Sequence, residues 1–190
     1  MSNNNEDWSV VKSCLHGDRR AYALLVEKYE KPVFNIVYRL TDSIEKARDI
    51  TQETFLKAYI SLRQVRPEFK FSNWLFKIAT NLCRDQFKKR KVTTVSLNES
   101  ISVAGNGKNQ DTPYNSLNPE EKLTLKEQQE HIQKAINTLP FIYRRVIVLR
   151  YIQGLAYKEI ADILKMPIER VKVQLHRAHK ILRNELTDIL

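Results

Sequence analysis

Apolar residues recur at spacings of three and four positions along most of the chain, which is the period of a helix buried on one face. The 190 residues include only four glycines, too few for a sheet-rich fold with many tight turns. The sequence therefore predicts an all-α protein. The predicted helices cover about 7–17, 18–40, 43–62, 72–91, 119–137, 140–153, 157–164 and 168–186.

Capping residues and prolines set several of these boundaries. Asp7, Asp18, Ser43 and Ser72 each offer a side-chain oxygen to the first turn of the helix that follows. Pro32 falls inside the second predicted helix. We expect a bend or a restart there, because proline removes an amide donor and crowds the preceding turn.

Residues 92–118 interrupt the helical pattern. This segment is polar and holds two of the four glycines, which predicts a flexible linker between two small helical domains. An ordered loop with short strands at 92–97 is the alternative. Asn118 and Pro119, followed by two glutamates, form a strong helix start. The predicted domains are therefore 1–91 and 119–190.

The last two predicted helices have the pattern of a helix-turn-helix. The turn between them is three residues long and ends at Pro167, which favours the start of the second helix. That helix is apolar on one face and mostly basic on the other, a combination that fits a DNA major groove. A solvated helix of a bundle is the alternative. His176 and His179 are three residues apart, but no carboxylate or thiol completes a metal site, so we expect no metal.

The positive charge is concentrated in two blocks. The chain has 32 Lys and Arg against 22 Asp and Glu, a net charge of +10. In residues 81–92, Asp85 is the one acid among the cations and the net charge is +4; in residues 165–183, Glu169 is the one acid and the net charge is +5. Charge that was merely solvated would be spread more evenly. Two separated blocks favour two contact surfaces for one long polyanion.

Other features of the sequence concern location. Cys14 and Cys83 form no CxxC motif and no cluster with histidine, which favours a reducing compartment and hence the cytoplasm. The N-terminus is polar and acidic, unlike a signal peptide. No apolar run approaches the roughly 20 residues that span a bilayer, so we expect no membrane insertion.

Two helices of the first predicted domain carry candidate binding surfaces. The helix at 43–62 exposes acid and amide groups around Leu56, which suits a protein partner with a basic helical surface; a solvated face is the alternative. The helix at 72–91 and the loop before it interleave aromatic and basic side chains. Cations that hold phosphates and rings that receive an unstacked base are typical of single-stranded DNA binding. For Trp74, packing in a core is the commoner explanation.

Three stretches resemble the extracytoplasmic-function sigma factors of the sigma-70 family. Ala47–Tyr59 matches the AxDxxQExFLKAY pattern of region 2.2, and Phe71–Asn81 matches the FxxWLxxIAxN pattern of regions 2.3 and 2.4. Residues 139–186 resemble region 4. The resemblance implies a non-catalytic specificity subunit of RNA polymerase that needs no cofactor. Only 27 residues separate the two domains, which indicates the compact group that lacks the additional domains of larger members.

The resemblance also implies a role for each surface. The residues expected to dock on the clamp helices of the RNA polymerase β′ subunit are Asp49, Gln52, Glu53 and Leu56. The residues expected to melt and hold the −10 promoter element are Phe69, Lys70, Phe71, Ser72, Lys77, Asn81, Arg84 and Lys88. Among them, Asn81 and the 69–72 loop are expected to hold a flipped base. The residues expected to bind the −35 element in the major groove are Glu169, Arg170, Lys172, Val173, His176, Arg177 and Lys180.

The chain departs from the family pattern in the −35 helix. Glu169 and Arg170 replace a small pair, and Val173 and Gln174 replace a Ser-Arg-like pair, which affects the expected −35 sequence and leaves the binding mode unchanged. The partners implied are core RNA polymerase and promoter DNA, both double-stranded and single-stranded. Members of the family are commonly held inactive by an anti-sigma factor, so such a partner is expected as well.

Three other functions compete with this interpretation. We expect no enzyme, because the sequence has no Walker loop, no HExxH and no nucleophile motif. A stand-alone helix-turn-helix regulator would share the C-terminal helices. It would bind duplex DNA without polymerase, and its N-terminal half would lack the acidic face and the aromatic-basic helix. An adaptor that binds only protein would leave both basic blocks unexplained.

Overall fold

The computed structural model describes residues 3–96 and 130–187, and within these ranges the chain is helical, without strands. A short 3₁₀ turn at Leu62–Gln64 precedes the fourth helix. In chain order the helices are α1 Asn3–Leu15, α2 Ala21–Thr41, α3 Ile44–Ile60, α4 Phe71–Ser96, α5 up to residue 138 and described from 130, α6 Phe141–Ile147, α7 Tyr157–Leu164 and α8 Ile168–Thr187.

Two of the predicted helix starts are confirmed by their hydrogen bonds. Asp18 Oδ1 accepts from the backbone amides of Arg20 and Ala21, at 3.0 and 3.3 Å. Ser43 Oγ accepts from the amide of Lys46 at 3.3 Å. Each bond satisfies an amide of the first turn that has no partner within the helix.

Other predicted boundaries are corrected. Helix α2 is one continuous element through Pro32, so the expected restart is wrong. Helix α4 begins at Phe71, one residue before Ser72, and it continues to Ser96, beyond the expected end at Lys91. The remainder of the predicted linker, from 97 to 118, and the predicted helix start at Asn118 lie outside the described residues.

Helices α1 to α4 form the N-terminal half, with α2 packed against the other three. Its core includes Leu25, Val33 and Ile36 of α2, all at most 1% exposed. Asp7 was expected to cap α1, but it lies within that helix and is buried. Its carboxylate accepts hydrogen bonds from Lys28 and from the Tyr29 hydroxyl. The cap prediction is wrong because this carboxylate joins α1 to α2 instead.

Helices α5 to α8 form the C-terminal half. A single π-helical turn, Val148–Ile152, extends α6, and the segment ends at Gly154 with a φ of +67°. The turn between α7 and α8 begins at Lys165, whose φ of +50° ends α7. The apolar face predicted for α8 is confirmed, since its central residues are at most 2% exposed: Val171, Leu175 and Ala178.

The two halves pack against each other and share one apolar core. The Arg144 guanidinium of α6 donates to the Leu40 carbonyl of α2 at 3.1 Å. The ring centroids of Phe87 on α4 and Phe141 on α6 are 4.4 Å apart. The prediction of two domains joined by a flexible linker did not include this contact. It places the helix-turn-helix beside α4.

Candidate polymerase and nucleic-acid interfaces

The acidic face of α3 is exposed. Asp49, Gln52 and Glu53 all point away from the core. Leu56 is 60% exposed beside them, and Ile60, one turn further on, is 72% exposed. The opposite face of α3 is buried against α2 and α4, as its apolar spacing predicts. The result is a ridge of acid and amide groups that ends in exposed aliphatic side chains. Exposed cations flank it, and one of them, Lys57, pairs with Glu53 at 2.7 Å.

The loop before α4 is held in place by α1. The Trp8 indole Nε1 donates to the carbonyl of Phe69 at 3.3 Å, and the Phe69 ring itself is 52% exposed. Phe71 is fully buried, with its ring centroid 5.6 Å from that of Tyr29 and 5.7 Å from that of Trp74. The prediction that Phe71 contacts DNA is therefore corrected: its ring fills the core and supports the loop.

The polar residues of α4 lie along a strip beside the C-terminal half. Ser72 is partly buried, whereas Arg84 and Lys88 are exposed. Lys77 is partly buried. Burial lowers the pKa of its ammonium, and the positive charge of Lys165, at the end of α7, lowers it further. Three cations predicted to bind DNA, Lys77, Arg84 and Lys88, thus share one side of the helix.

Asn81 faces a different neighbourhood. It lines an open groove of about 380 Å³ between α3 and α4, together with Ile60 of α3 and Leu82 of α4. Residues 69–72 do not line this groove. The structure therefore does not bring Asn81 and the 69–72 loop together into one pocket, as the family resemblance had led us to expect.

The basic face of α8 is open. The residues predicted to bind the −35 element are all exposed: Glu169, Arg170, Lys172, Val173, His176, Arg177 and Lys180. Gln174 is buried, so the Val173–Gln174 pair divides between the two faces of the helix. His179 Nε2 lies 2.8 Å from the Tyr151 hydroxyl, which links the π-helical turn to α8.

The sequence does not predict both contacts of Glu159 on α7. Its Oε2 accepts from the Ala156 amide at 2.9 Å, which caps α7 in place of the missing side-chain cap at Ala156. Its Oε1 accepts from Lys70 Nζ at 2.7 Å. Burial raises the pKa of Glu159, but the bonds from Lys70 and Ala156 outweigh it and lower the pKa below the ordinary value. A glutamate at the third position of a helix is a known signal for such a cap. No feature of the sequence, by contrast, predicts that Glu159 pairs with Lys70, 89 residues away.

Comparison with known proteins identifies the family. The model of Sigma-70 region 2 matches residues 25–93, and that of Sigma-70, region 4 matches residues 129–182. The ECF RNA polymerase sigma factor SigW of Bacillus subtilis is 35% identical over 179 residues, which are 94% of this chain and 96% of SigW. The chain belongs to the extracytoplasmic-function sigma factors.

Further relatives agree with this assignment. The ECF RNA polymerase sigma-E factor of Escherichia coli is 30% identical over 190 residues, covering all of this chain and 99% of the relative. Two solved structures share the fold at 22% and 21% identity. One is the sigma factor RpoE in complex with the anti-sigma factor NepR from Bartonella quintana, with a TM-score of 0.66 over 87% of this chain and 96% of RpoE. The other is CnrH in complex with the cytosolic domain of CnrY, with a TM-score of 0.68 over 94% of this chain and 96% of CnrH.

The protein is therefore an RNA polymerase sigma factor, and the all-α fold is confirmed. The stand-alone regulator is not favoured, because both sigma regions are matched in order along this sigma factor. In the part of the chain that the structure describes, no cluster of acids, histidines and cysteines could hold a metal ion. Among those same residues, every helix is too short or too polar to cross a bilayer.

Proposed function

We propose that this sigma factor directs promoter-specific initiation through three surfaces that lie on three different helices. The observation that carries the proposal is their difference in charge. The exposed side of α3 has no net charge, since three acids are balanced by three cations and Glu53 pairs with Lys57 at 2.7 Å, whereas the exposed faces of α4 and α8 are net basic. A neutral surface with exposed aliphatic side chains suits a protein partner, and basic faces suit phosphates. This difference favours polymerase as the partner of α3 and promoter DNA as the partner of α4 and α8.

The α3 ridge fits the β′ clamp helices of core RNA polymerase. Asp49, Gln52 and Glu53 offer acceptors to basic side chains of the partner, and Leu56 offers an apolar anchor at the centre. Ile60, one turn further on, lies where this ridge meets the groove that Asn81 lines. Residues that lose contact with water near the centre of an interface contribute most to binding, which is the place proposed for Leu56.

The −10 element is assigned to the loop and α4. Exposed Phe69 offers a ring to stack on a base, and Lys70, Lys77, Arg84 and Lys88 offer cations to the phosphates. The Asn81 groove combines an amide, which can hydrogen-bond to a base edge, with apolar walls. Capture of an extruded base there offsets part of the unstacking cost, which is a few kcal/mol per base.

The −35 element is assigned to α8 in a major groove. Lys172, Val173, His176 and Arg177 are neighbours on one exposed face whose back is buried in the helix-turn-helix. Glu169 and Lys180 lie on the same face, one turn before and one turn after these residues, and Arg170 lies at its edge. Arginine and lysine bind guanine edges and phosphates, and Val173 offers an apolar contact to a thymine methyl group.

We infer further that an anti-sigma factor is a partner, because one of the solved structures that share the fold is of a sigma factor in complex with an anti-sigma factor. The sigma factor supplies no catalytic group of its own, since the polymerase forms the RNA. It acts where core polymerase and promoter DNA are, which is the cytoplasm.

Charge reversal on α3 tests the polymerase assignment. The double variant Asp49→Lys/Glu53→Lys should lose binding to core RNA polymerase, measured by fluorescence anisotropy of the labelled full-length chain, while its helical circular dichroism is unchanged. Exposed residues on a helix tolerate such changes with little effect on stability. The matched control is Glu27→Lys/Glu30→Lys, which makes the same charge change on exposed positions of α2 and should retain binding. Undiminished binding by the α3 variant would refute the docking assignment.

A further inference from the structure

The loop that carries Phe69 is short and fixed at both ends. Val65 is buried on one side of it and Phe71 on the other. Between them the chain turns at Arg66–Phe69, where the Phe69 amide donates to the Arg66 carbonyl at 3.1 Å. Pro67 occupies the second position of this turn, and its ring restricts φ to the value that such a turn needs. The exposed Phe69 ring therefore stands on a backbone with little freedom.

Helix α1 fixes the same residue from the other direction. The indole Nε1 of buried Trp8 donates to the Phe69 carbonyl at 3.3 Å, across 61 positions of the chain. The next carbonyl, that of Lys70, accepts from the Trp74 amide in the first turn of α4. Both backbone polar groups of Phe69 are thus paired, which leaves its ring as the part of the residue that is open to a ligand.

Trp8 is itself held in place by its neighbour along α1. The Asp7 carboxylate is buried and accepts from Lys28 Nζ at 2.6 Å and from the Tyr29 hydroxyl. The Tyr29 ring centroid lies 5.6 Å from that of Phe71, the residue that ends the loop. Two consecutive residues of α1 therefore support the loop, one directly and the other through α2.

Helix α1 has no role in the three proposed surfaces. It also lies outside the part of the chain that the region 2 family model matches, which begins at residue 25. Its fully buried Val11 contributes apolar packing alone. Trp8 adds an N–H donor to such packing, and a buried indole N–H needs a partner. That partner is the one backbone group of Phe69 that the turn leaves free.

We propose that Trp8 is a positioning residue for capture of the −10 single strand: its hydrogen bond to the Phe69 carbonyl holds the exposed ring ready to stack on an unstacked base. The inference rests on the proposed −10 function of Phe69 and deepens it. Stacking on an aromatic ring tolerates every base, so the effect should not require a particular sequence. A ring that is ordered before the strand arrives loses less freedom on binding, which raises the affinity.

Removal of the indole donor tests the inference. Trp8→Phe keeps an aromatic ring in the core and loses the N–H group. The full-length variant, assembled with core RNA polymerase, should bind a short labelled DNA single strand of mixed sequence about three- to tenfold more weakly than the parent holoenzyme. Fluorescence anisotropy of the strand measures this affinity, with core polymerase alone as background. Binding of the chain to core polymerase should be unchanged. An unaltered affinity for the strand would overturn the positioning role.

A double-mutant cycle separates positioning from general support of the fold. Phe69→Ala keeps the backbone carbonyl and removes the ring, so it should weaken strand binding by itself. In that background Trp8→Phe should cause no further loss, because no ring is left to position. Independent losses from the two substitutions would show that Trp8 acts elsewhere and would overturn the inference. If Phe69→Ala alone leaves strand binding unchanged, the −10 function of the loop fails and the inference fails with it.

Val11→Ala is the matched control for stability. It removes buried volume from the same helix and keeps the bond from Trp8 to the loop. It should lower the urea midpoint of unfolding while the affinity for the strand stays as in the parent chain. A loss of strand affinity equal to that of Trp8→Phe would assign the effect to a loosened α1, which would contradict the proposed hydrogen bond as its cause.

A variant outside the core covers the case in which Trp8→Phe does not fold. Pro67→Gly changes an exposed position and loosens the same turn without altering α1, because glycine leaves φ unrestricted. It should weaken binding of the strand by about two- to fivefold, since the ring must then be ordered during binding. Parent-like affinity of a folded Pro67→Gly chain would refute the claim that the ring must be held in advance.

Discussion

At the scale of single residues, substitution of Asn81 should have the most specific effect. Asn81→Ala removes the amide from the α3–α4 groove and should slow open-complex formation by about two- to tenfold, the value of one neutral hydrogen bond of about 0.5–1.5 kcal/mol. Polymerase binding should be unchanged. The comparison is permanganate footprinting on duplex and pre-melted templates, with exposed Gln86→Ala as control. Equal rates for wild type and variant on duplex templates would argue against base capture.

The buried carboxylate of Asp7 makes a second prediction at this scale. Asp7→Asn weakens the bonds to Lys28 and Tyr29 that join α1 to α2, and should lower the free energy of unfolding in urea by about 1–3 kcal/mol. Glu6→Gln is its neighbour-matched control, because Glu6 is exposed and lies 3.9 Å from the same lysine. If both variants unfold at the same urea concentration, Asp7 does not anchor α1.

The two cysteines differ in burial, and their reactivity should differ with it. Burial raises the pKa of Cys83 to about 12, so at pH 8 only about one thiol in ten thousand is the reactive thiolate. Cys14 has a raised pKa as well, from burial and the nearby Asp18, but it is only partly buried. Titration of the native chain with a thiol reagent should detect Cys14 alone, and both thiols after unfolding. Two fast thiols in the native chain would contradict the packing of α4.

At the scale of elements, α8 should determine dependence on the −35 element. Lys172→Ala and Arg177→Ala should each cost about 1–3 kcal/mol of discrimination at −35, the value of a good base contact. The measurement is transcription from promoters with and without the −35 element. Lys158→Ala removes an equal charge from an exposed position of α7 and should leave the dependence on the −35 element unchanged. A promoter that lacks its −35 element and is transcribed as well as the intact one would exclude the groove assignment.

Elements are also the scale at which sequence prediction succeeded best. The apolar period of α8 and the caps of α2 and α3 depend on neighbours within one or two turns, and all three are confirmed. Local patterns failed where a distant partner decides. Asp7 has the chemistry of a cap, but it is buried and hydrogen-bonds to Tyr29 and Lys28 instead. Phe71 matches a position expected to contact DNA, but its ring packs against Tyr29 and Trp74 in the core.

At the scale of the whole molecule, the contact between the two halves could not be predicted. It depends on pairs such as Phe87–Phe141 and Lys70–Glu159, which are separated along the chain by 97–129, a range that the structure does not describe. The family assignment, by contrast, follows from motifs within single helices, so it was available from the sequence. The roles of individual residues at the three surfaces remain predictions for the experiments above.

Run-off transcription with purified core polymerase, the full-length chain and a randomised promoter library tests the central claim most directly. We predict transcripts that depend on the chain, from templates enriched in two sequence blocks, near −10 and −35, at a constant separation. A lack of transcripts above those of core polymerase alone would contradict the account. So would enrichment of a single block that the chain binds equally well without polymerase.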